Sequence, residues 1–368
     1  MMYCRRCIGF PDESVEDVPG KPHNVRLSLS YSLSAAQKEI SEKVISNFKN
    51  GIDTLIYAVC GSGKTEISYG VIAYAMSKGM HVGFALPRRD VVIELYFRLK
   101  DAFPDQRIVS VYGQHTSSLV GDCIILTTHQ LYRYPNYFDL LVLDEIDAFP
   151  FKGDRTLNAF FKKALRGHCV MMTATPSKTV IHEFQKPGHD ILTLRTRFHK
   201  HPIPVPRIQR AYGPLKNLAL IRLLKSYGRQ DKQALVFVPT VSLAADIYQW
   251  LRLFVHGGNY VSSRKEDRET VIQDFKDRRY RYLVTTAVLE RGVTVRNLQV
   301  IVYGADDRIY DAAALIQIAG RAGRKADAPT GDVVFLADHE TKGMLSAIEE
   351  IRYCNGFLQK MRKSNRAK

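Results

Sequence analysis

Short unbroken apolar runs alternate with longer amphipathic stretches through most of the chain. Residues 55–59, 82–86, 108–112, 123–127, 140–143 and 168–172 predict a first set of strands. Residues 234–238, 281–285 and 300–303 predict a second set. The run 140–143 is uninterrupted Leu-Leu-Val-Leu, so it predicts a strand covered on both faces, as in a parallel sheet. Between them, residues 66–76, 90–99, 241–254, 264–276 and 312–319 predict helices, and Ser34 is placed to cap another that opens near residue 35. Strand-helix alternation of this kind predicts an α/β fold with parallel sheets.

Residues 196–210 break the pattern. Pro202, Pro204 and Pro206 alternate with Ile and Val there, among Arg197, His199, Lys200, His201, Arg207 and Arg210. Proline fixes φ and removes a donor, so this density predicts neither helix nor central strand. The division expected is an N-terminal segment (1–29), a first domain (30–196), a basic linker (197–210) and a second domain (211–368). The tail 360–368 is basic and short, and is expected to lack fixed structure.

Chemistry concentrates at the ends of the predicted strands. After strand 55–59 come Gly61, Ser62, Gly63, Lys64 and Thr65, followed by a helix. Strand, glycine loop, Lys-Thr and helix form the context of a Walker A phosphate loop. Glycines let backbone N–H groups turn towards phosphate oxygens, and the helix N-terminus adds partial positive charge. Lys64 reaches terminal phosphates, and the Thr65 hydroxyl is a ligand for Mg²⁺. The usual first glycine is Ala58 here. Gln37, upstream, offers both ends of its amide to an adenine edge.

The run 140–143 leads straight into Asp144-Glu145-Ile146-Asp147. Carboxylates at the carboxyl end of a central strand stand where open α/β sheets bind ligands. Asp144 is placed to hold Mg²⁺, and Glu145 to orient and deprotonate water. Strand 168–172 ends in Thr173-Ala174-Thr175-Pro176, small hydroxyl residues suited to coupling. In the second half, Gln317 lies just before Gly320-Arg321-Ala322-Gly323-Arg324. The planar fork of arginine binds phosphate oxygens in pairs, and two arginines three apart can face one triphosphate.

Charge changes the picture of the partner. The 368 residues carry a net charge of +16, which fits a nucleic acid whose phosphates are neutralised on binding. No apolar run approaches the roughly 20 residues needed to span a bilayer, and no leader is visible, so a cytosolic protein is expected. Of six cysteines, Cys4 and Cys7 have zinc-knuckle spacing. They supply half of the usual four ligands, and no second such pair exists in the chain.

In order, AxxGSGKT, TTHQL, DEID, TAT, VFVPT, TTAVLERGVTV and QIAGRAGR resemble the motifs of superfamily 2 helicases and translocases, across about residues 30–340. Residues 144–151 and 289–294 make the chain similar to the ComFA family, ATP-driven motors of DNA uptake in naturally competent bacteria. Cys4 and Cys7 resemble the second half of that family's four-cysteine zinc module, whose first half is missing here. The resemblance implies two tandem RecA-like domains with ATP and Mg²⁺ between them. It implies that Gln37 contacts adenine, that residues 61–65 hold phosphates, and that Thr173 and Thr175 couple hydrolysis to motion. It implies DNA-backbone contacts from Arg88, Thr128, His129, Thr240 and Thr286, and completion of the ATP site by Gln317, Arg321 and Arg324. Single-stranded DNA, other competence proteins and a membrane uptake channel are the implied partners, with the motor cytoplasmic and peripheral to the membrane. A general DNA or RNA helicase, and a non-catalytic scaffold switched by ATP, are the competing readings.

Overall fold

A computed structural model describes residues 15–18, 20–29, 31–59, 61–113, 115–116, 118–146, 154–262, 267–286 and 295–366. The chain forms two compact units, Met1–Leu194 and Arg195–Lys368.

The first unit runs α1 (Ala35–Lys49), β1 (Asp53–Ala58), α2 (Lys64–Ser77), β2 (Val82–Leu86), α3 (Arg89–Ala102), β3 (Ile108–Val111) and β4 (Cys123–Thr127). A 3-10 turn over Thr128–Arg133 leads to β5 (Phe138–Asp144), α4 (Arg155–Ala164), β6 (Leu165–Thr173), α5 (Lys178–Phe184) and β7 (His189–Leu194). The seven strands form one sheet in the order β3-β4-β2-β5-β6-β1-β7, with every neighbouring pair parallel. Successive residues of β1 serve opposite faces. Leu55 packs with Leu141 and Phe161 on one side, whereas Ile56 and Ala58 pack with Val44, Ile67 and Val71 on the other. Both faces of the central strands are therefore dry, which is why β2 and the run 140–143 of β5 read as unbroken apolar runs.

The second unit runs β8 (Arg207–Arg210), α6 (Pro214–Arg229), β9 (Gln233–Phe237), α7 (Val241–Leu251), β10 (Gly258–Val261), α8 (Arg268–Lys276) and β11 (Tyr282–Thr285). It continues through β12 (Leu298–Tyr303), α9 (Ala312–Ala319), β13 (Val333–Ala337) and α10 (Lys342–Arg366). Its six strands are also all parallel, in the order β10-β11-β9-β12-β13-β8.

Several boundaries differ from the expectation. The stretch expected as linker ends in β8, an edge strand paired with β13, and its prolines precede the paired residues, where the missing donors cost nothing. The C-terminal tail is helical: α10 continues to Arg366. The N-terminal stretch from Val15 is bonded to the first unit, with Val15 N donating to Arg133 O at 2.9 Å and Ser28 N to Ala102 O at 2.8 Å. In the same strap, Asp17 accepts from Arg166 at 2.6 Å, and Arg166 also donates to Asp139 at 2.7 Å. Burial pushes the Asp139 carboxyl up, but hydrogen bonds from His81 and Arg166 outweigh it and hold the group well below the usual carboxylate range. Among the described residues, no helix is long and apolar enough to cross a membrane.

Candidate functional site

The sheet order of the first unit places β5, β6 and β1 side by side, so their carboxyl ends share one edge. In register, Asp144 of β5 lies opposite Met172 of β6, and Tyr57 of β1 opposite Thr173 of β6. Three segments singled out by sequence therefore converge: the phosphate loop after β1, Asp144 and Glu145 after β5, and Thr173 at the end of β6.

The loop has the backbone that phosphate binding requires. Gly61 and Gly63 have φ of 80° and 75°, a region that favours glycine. A Cβ on Gly63 would collide with the Gln37 amide. Gly63 caps α2 without a side-chain hydrogen bond, leaving the first-turn N–H groups to face an anion. The buried Ser62 hydroxyl lacks a hydrogen-bond partner. Lys64 opens α2, and its Nζ lies 3.1 Å from Asp144 Oδ1. Thr65 follows it in the first turn, half-buried. An ammonium, a hydroxyl and a carboxylate at one helix N-terminus are the donor set that a nucleoside triphosphate with Mg²⁺ needs, so the residues fit that group.

Glu145 leaves β5 with φ of 63°. For a side chain with a Cβ this conformation is strained, by about 1–3 kcal/mol. Two bonds hold it: Glu145 N donates to Asp144 Oδ1 at 2.8 Å and to Met172 O at 3.0 Å. The positive φ turns the chain at the strand end. Behind it, Thr173 is fully buried, and its Oγ1 accepts from Thr175 N at 3.0 Å.

Gln37 does something the sequence did not suggest. It completes a capping box, its Oε1 accepting from Ser34 N at 2.9 Å and Ser34 Oγ at 2.8 Å. Its Nε2 donates to Ser62 O at 2.9 Å. The amide thus braces the phosphate loop, and a two-ended contact with adenine requires those bonds to open.

The residues expected on DNA are unevenly placed. Arg88 caps α3 and donates to Asp90 at 3.0 Å. His129 is exposed, but Thr128 is fully buried, so its side chain is not at the surface. Thr240 is exposed and caps α7, accepting from Leu243 N at 3.2 Å. Thr286 is buried at the end of β11. Asp147, Cys4, Cys7 and the segment 287–294 lie outside the described residues. Among the described residues, no group of three or more His, Cys, Asp or Glu side chains is arranged to hold a metal.

In the second unit, α9 ends at Ala319, so Arg321 and Arg324 stand in the turn beyond it and not on the helix. Gln317 and Arg321 are buried, and Arg324 is half-buried. The turn is held from an unexpected direction. Arg197, only 2% exposed, donates to Gly320 O at 2.9 Å, Ala322 O at 3.0 Å and Gly323 O at 2.6 Å. Charged donors on backbone carbonyls make strong bonds. Gly323 has φ of 61°, and a Cβ there would collide with Pro329 O. Burial, then the charges of Arg197 and His201, lowers the pKa of the adjacent His199. Sequence reasoning missed Arg197, because a charged residue among prolines reads as exposed linker.

Comparison with known proteins agrees with this architecture. Residues 30–178 match the family described as "Type III restriction enzyme, res subunit", and residues 215–326 match "Helicase conserved C-terminal domain". The competence protein ComFA of Bacillus subtilis is 33% identical over 98% of this chain and 82% of its own length. ComFA of Streptococcus pneumoniae is 32% identical over 96% of this chain and 85% of its own. In fold, the chain is similar to S. cerevisiae Dbp5 bound to RNA and ADP BeF3, with a TM-score of 0.65 at 16% identity over 88% of this chain and 92% of that one. The two parallel sheets are thus tandem RecA-like domains of the superfamily 2 helicase type, and the chain belongs to the ComFA family.

Proposed function

We propose that the protein is a nucleic-acid-stimulated ATPase that translocates on single-stranded DNA and drives DNA uptake in natural transformation. The observation that carries the reading is the convergence of Lys64, Asp144 and Glu145 at one sheet edge, with Lys64 and Asp144 3.1 Å apart. Lys64 and the first N–H groups of α2 bind and orient the terminal phosphates. Thr65 and Asp144 would hold Mg²⁺, which supplies charge neutralisation when bound. Glu145 takes the proton from the attacking water. Gln37 keeps the loop in shape through Ser62 O. Thr173 and Thr175 pass the state of the site to the rest of the chain. Arg321 and Arg324 supply counter-charge to the transferring phosphoryl group, and Gln317 supports them from α9. Single-stranded DNA is the partner that the ComFA relatives and the charge of +16 favour. Action with other competence proteins at the inner face of the membrane belongs to the same reading.

ATP turnover measured side by side with single-stranded DNA, duplex DNA, RNA and no nucleic acid tests this. Stimulation by single-stranded DNA above the other three is the expected result. Greatest stimulation by RNA or duplex favours a general helicase, and equal turnover in all four removes the motor. DNA affinity should also fall with salt, with a log–log slope of about −0.7 per phosphate contacted.

A further inference from the structure

A cavity of about 420 Å³ lies beside the edge strand β3 of the first unit, outside the nucleotide site. Tyr96 and Phe97 of α3, Arg107, Tyr112 and His115 are among its walls. Two of those walls are parallel rings. Tyr112 and His115 stack with centroids 4.8 Å apart and 16° between their planes. Backbone bonds fix the pair, with His115 N donating to Tyr112 O at 2.8 Å and Tyr112 N to His115 O at 3.3 Å. The Arg89 guanidinium lies 5.1 Å from the Tyr112 ring centre. Phe97 is 59% exposed, a large ring left in water at the cavity.

The surroundings point to one kind of occupant. Among the described residues, no carboxylate lines the cavity, whereas Arg107 does and Arg89 adjoins it. The strands β2, β3 and β4 are parallel, so Arg88 after β2, Tyr112 after β3 and His129 after β4 all leave the same edge of the sheet. Gln130 Nε2 donates to Gly113 O at 3.4 Å, which ties the Tyr112–His115 loop to the turn that carries His129. Flat rings beside cations, next to residues placed for a phosphate backbone, suit a nucleobase.

We infer that this cavity receives an unstacked base of the single strand, laid against the Tyr112–His115 pair, with Arg89 and Arg107 neutralising the flanking phosphates. The inference rests on the proposed function and adds a base-dependent grip to it. Every base has a π-face, so the grip is indifferent to sequence. It nonetheless distinguishes a strand with bases from a bare sugar-phosphate chain.

The test uses the full chain and two labelled strands of equal length, oligothymidylate and the same strand made of abasic sites, read by fluorescence anisotropy. The wild type should bind the base-bearing strand about tenfold more tightly, the size of one stacked base. Phe97→Leu and His115→Ala both change exposed side chains, so the fold should hold. Together they should bring the affinity for oligothymidylate down to that for the abasic strand, with the salt slope unchanged. Equal wild-type affinity for the two strands, or a tenfold preference that survives in the double variant, overturns the inference alone. Failure to bind either strand overturns both it and the proposed function.

Discussion

The two units hold their motif side chains by different means. In the first, the groups stand where strands end. Asp144 and Thr173 end two adjacent strands, Glu145 follows the first of them, and Lys64 opens the helix reached by the loop after a third. In the second, Arg321 and Arg324 lie beyond a helix, in a turn whose carbonyls face inwards and are gathered by Arg197. The first arrangement rests on the sheet, with Gln37 of α1 bracing the loop. The second needs a buried cation from far along the chain, so its geometry depends on Arg197, a residue outside the motif.

That contrast can be broken most severely at the groups proposed to act on phosphate and water. Arg324→Ala should lower steady-state ATP turnover by about 10³ to 10⁵, the usual worth of an arginine that stabilises charge in phosphoryl transfer. Nucleotide binding to the first unit should persist, as checked by fluorescent-nucleotide titration. Glu145→Gln should lower turnover by about 10² to 10⁴ with binding retained, because the amide cannot accept the water's proton. Wild-type turnover in the Gln variant would remove Glu145 as the base.

Arg197→Ala sharpens the comparison, because it alters only the support. Leaving three carbonyls without their charged donor should cost about 3 kcal/mol of stability in the second unit. A displaced arginine turn should also reduce turnover by about 10²-fold at unchanged ATP affinity. Arg197→Lys should rescue little, since a single ammonium cannot reproduce the planar fork. Thermal melting and the split between kcat and KM read the two effects separately.

Acid should affect the units at different pH. His199 in the second unit has a folded pKa below its unfolded value. Its contribution is complete above about pH 6.5 and declines as pH falls towards the folded value. Asp139 in the first unit is depressed below an unfolded value of about 3.9, so its contribution is complete above that pH and is lost only below it. Both groups are partly exposed, and each effect should stay at about 1 kcal/mol or less. Melts from pH 8 down to about pH 3 should show the upper step abolished by His199→Gln and the lower one reduced by Asp139→Asn.

Most of the first unit was legible from sequence because its strands are buried on both faces and its chemistry follows them directly. Of the elements not foreseen, β13 is a plain apolar run, Val-Val-Phe-Leu-Ala, that was overlooked, whereas β7 and β8 carry weak patterns. β7 mixes His189, Asp190 and Thr193 with its apolar residues, since it is a half-buried edge strand. β8 is Arg-Ile-Gln-Arg, an edge strand with no apolar run at all. The helix to Arg366 was masked by its basic composition. At the site, the phosphate loop and both carboxylates were readable, but the roles of Gln37 and Arg197 were not. Each is a long polar side chain that reaches a backbone carbonyl distant in sequence, and periodicity contains no information about such contacts.

The central claim is that the chemistry is divided, with phosphate and water held by the first unit and counter-charge supplied by the second. It is tested most directly by steady-state ATP turnover, with saturating single-stranded DNA, of a fragment ending at Leu194 beside the whole chain. The fragment has its own seven-stranded sheet and core, and should fold and bind nucleotide through Lys64 and the glycine loop. Its turnover should be lower than that of the whole chain by about 10³ or more. Near-equal turnover would show that the first unit carries out hydrolysis alone, and would contradict the division.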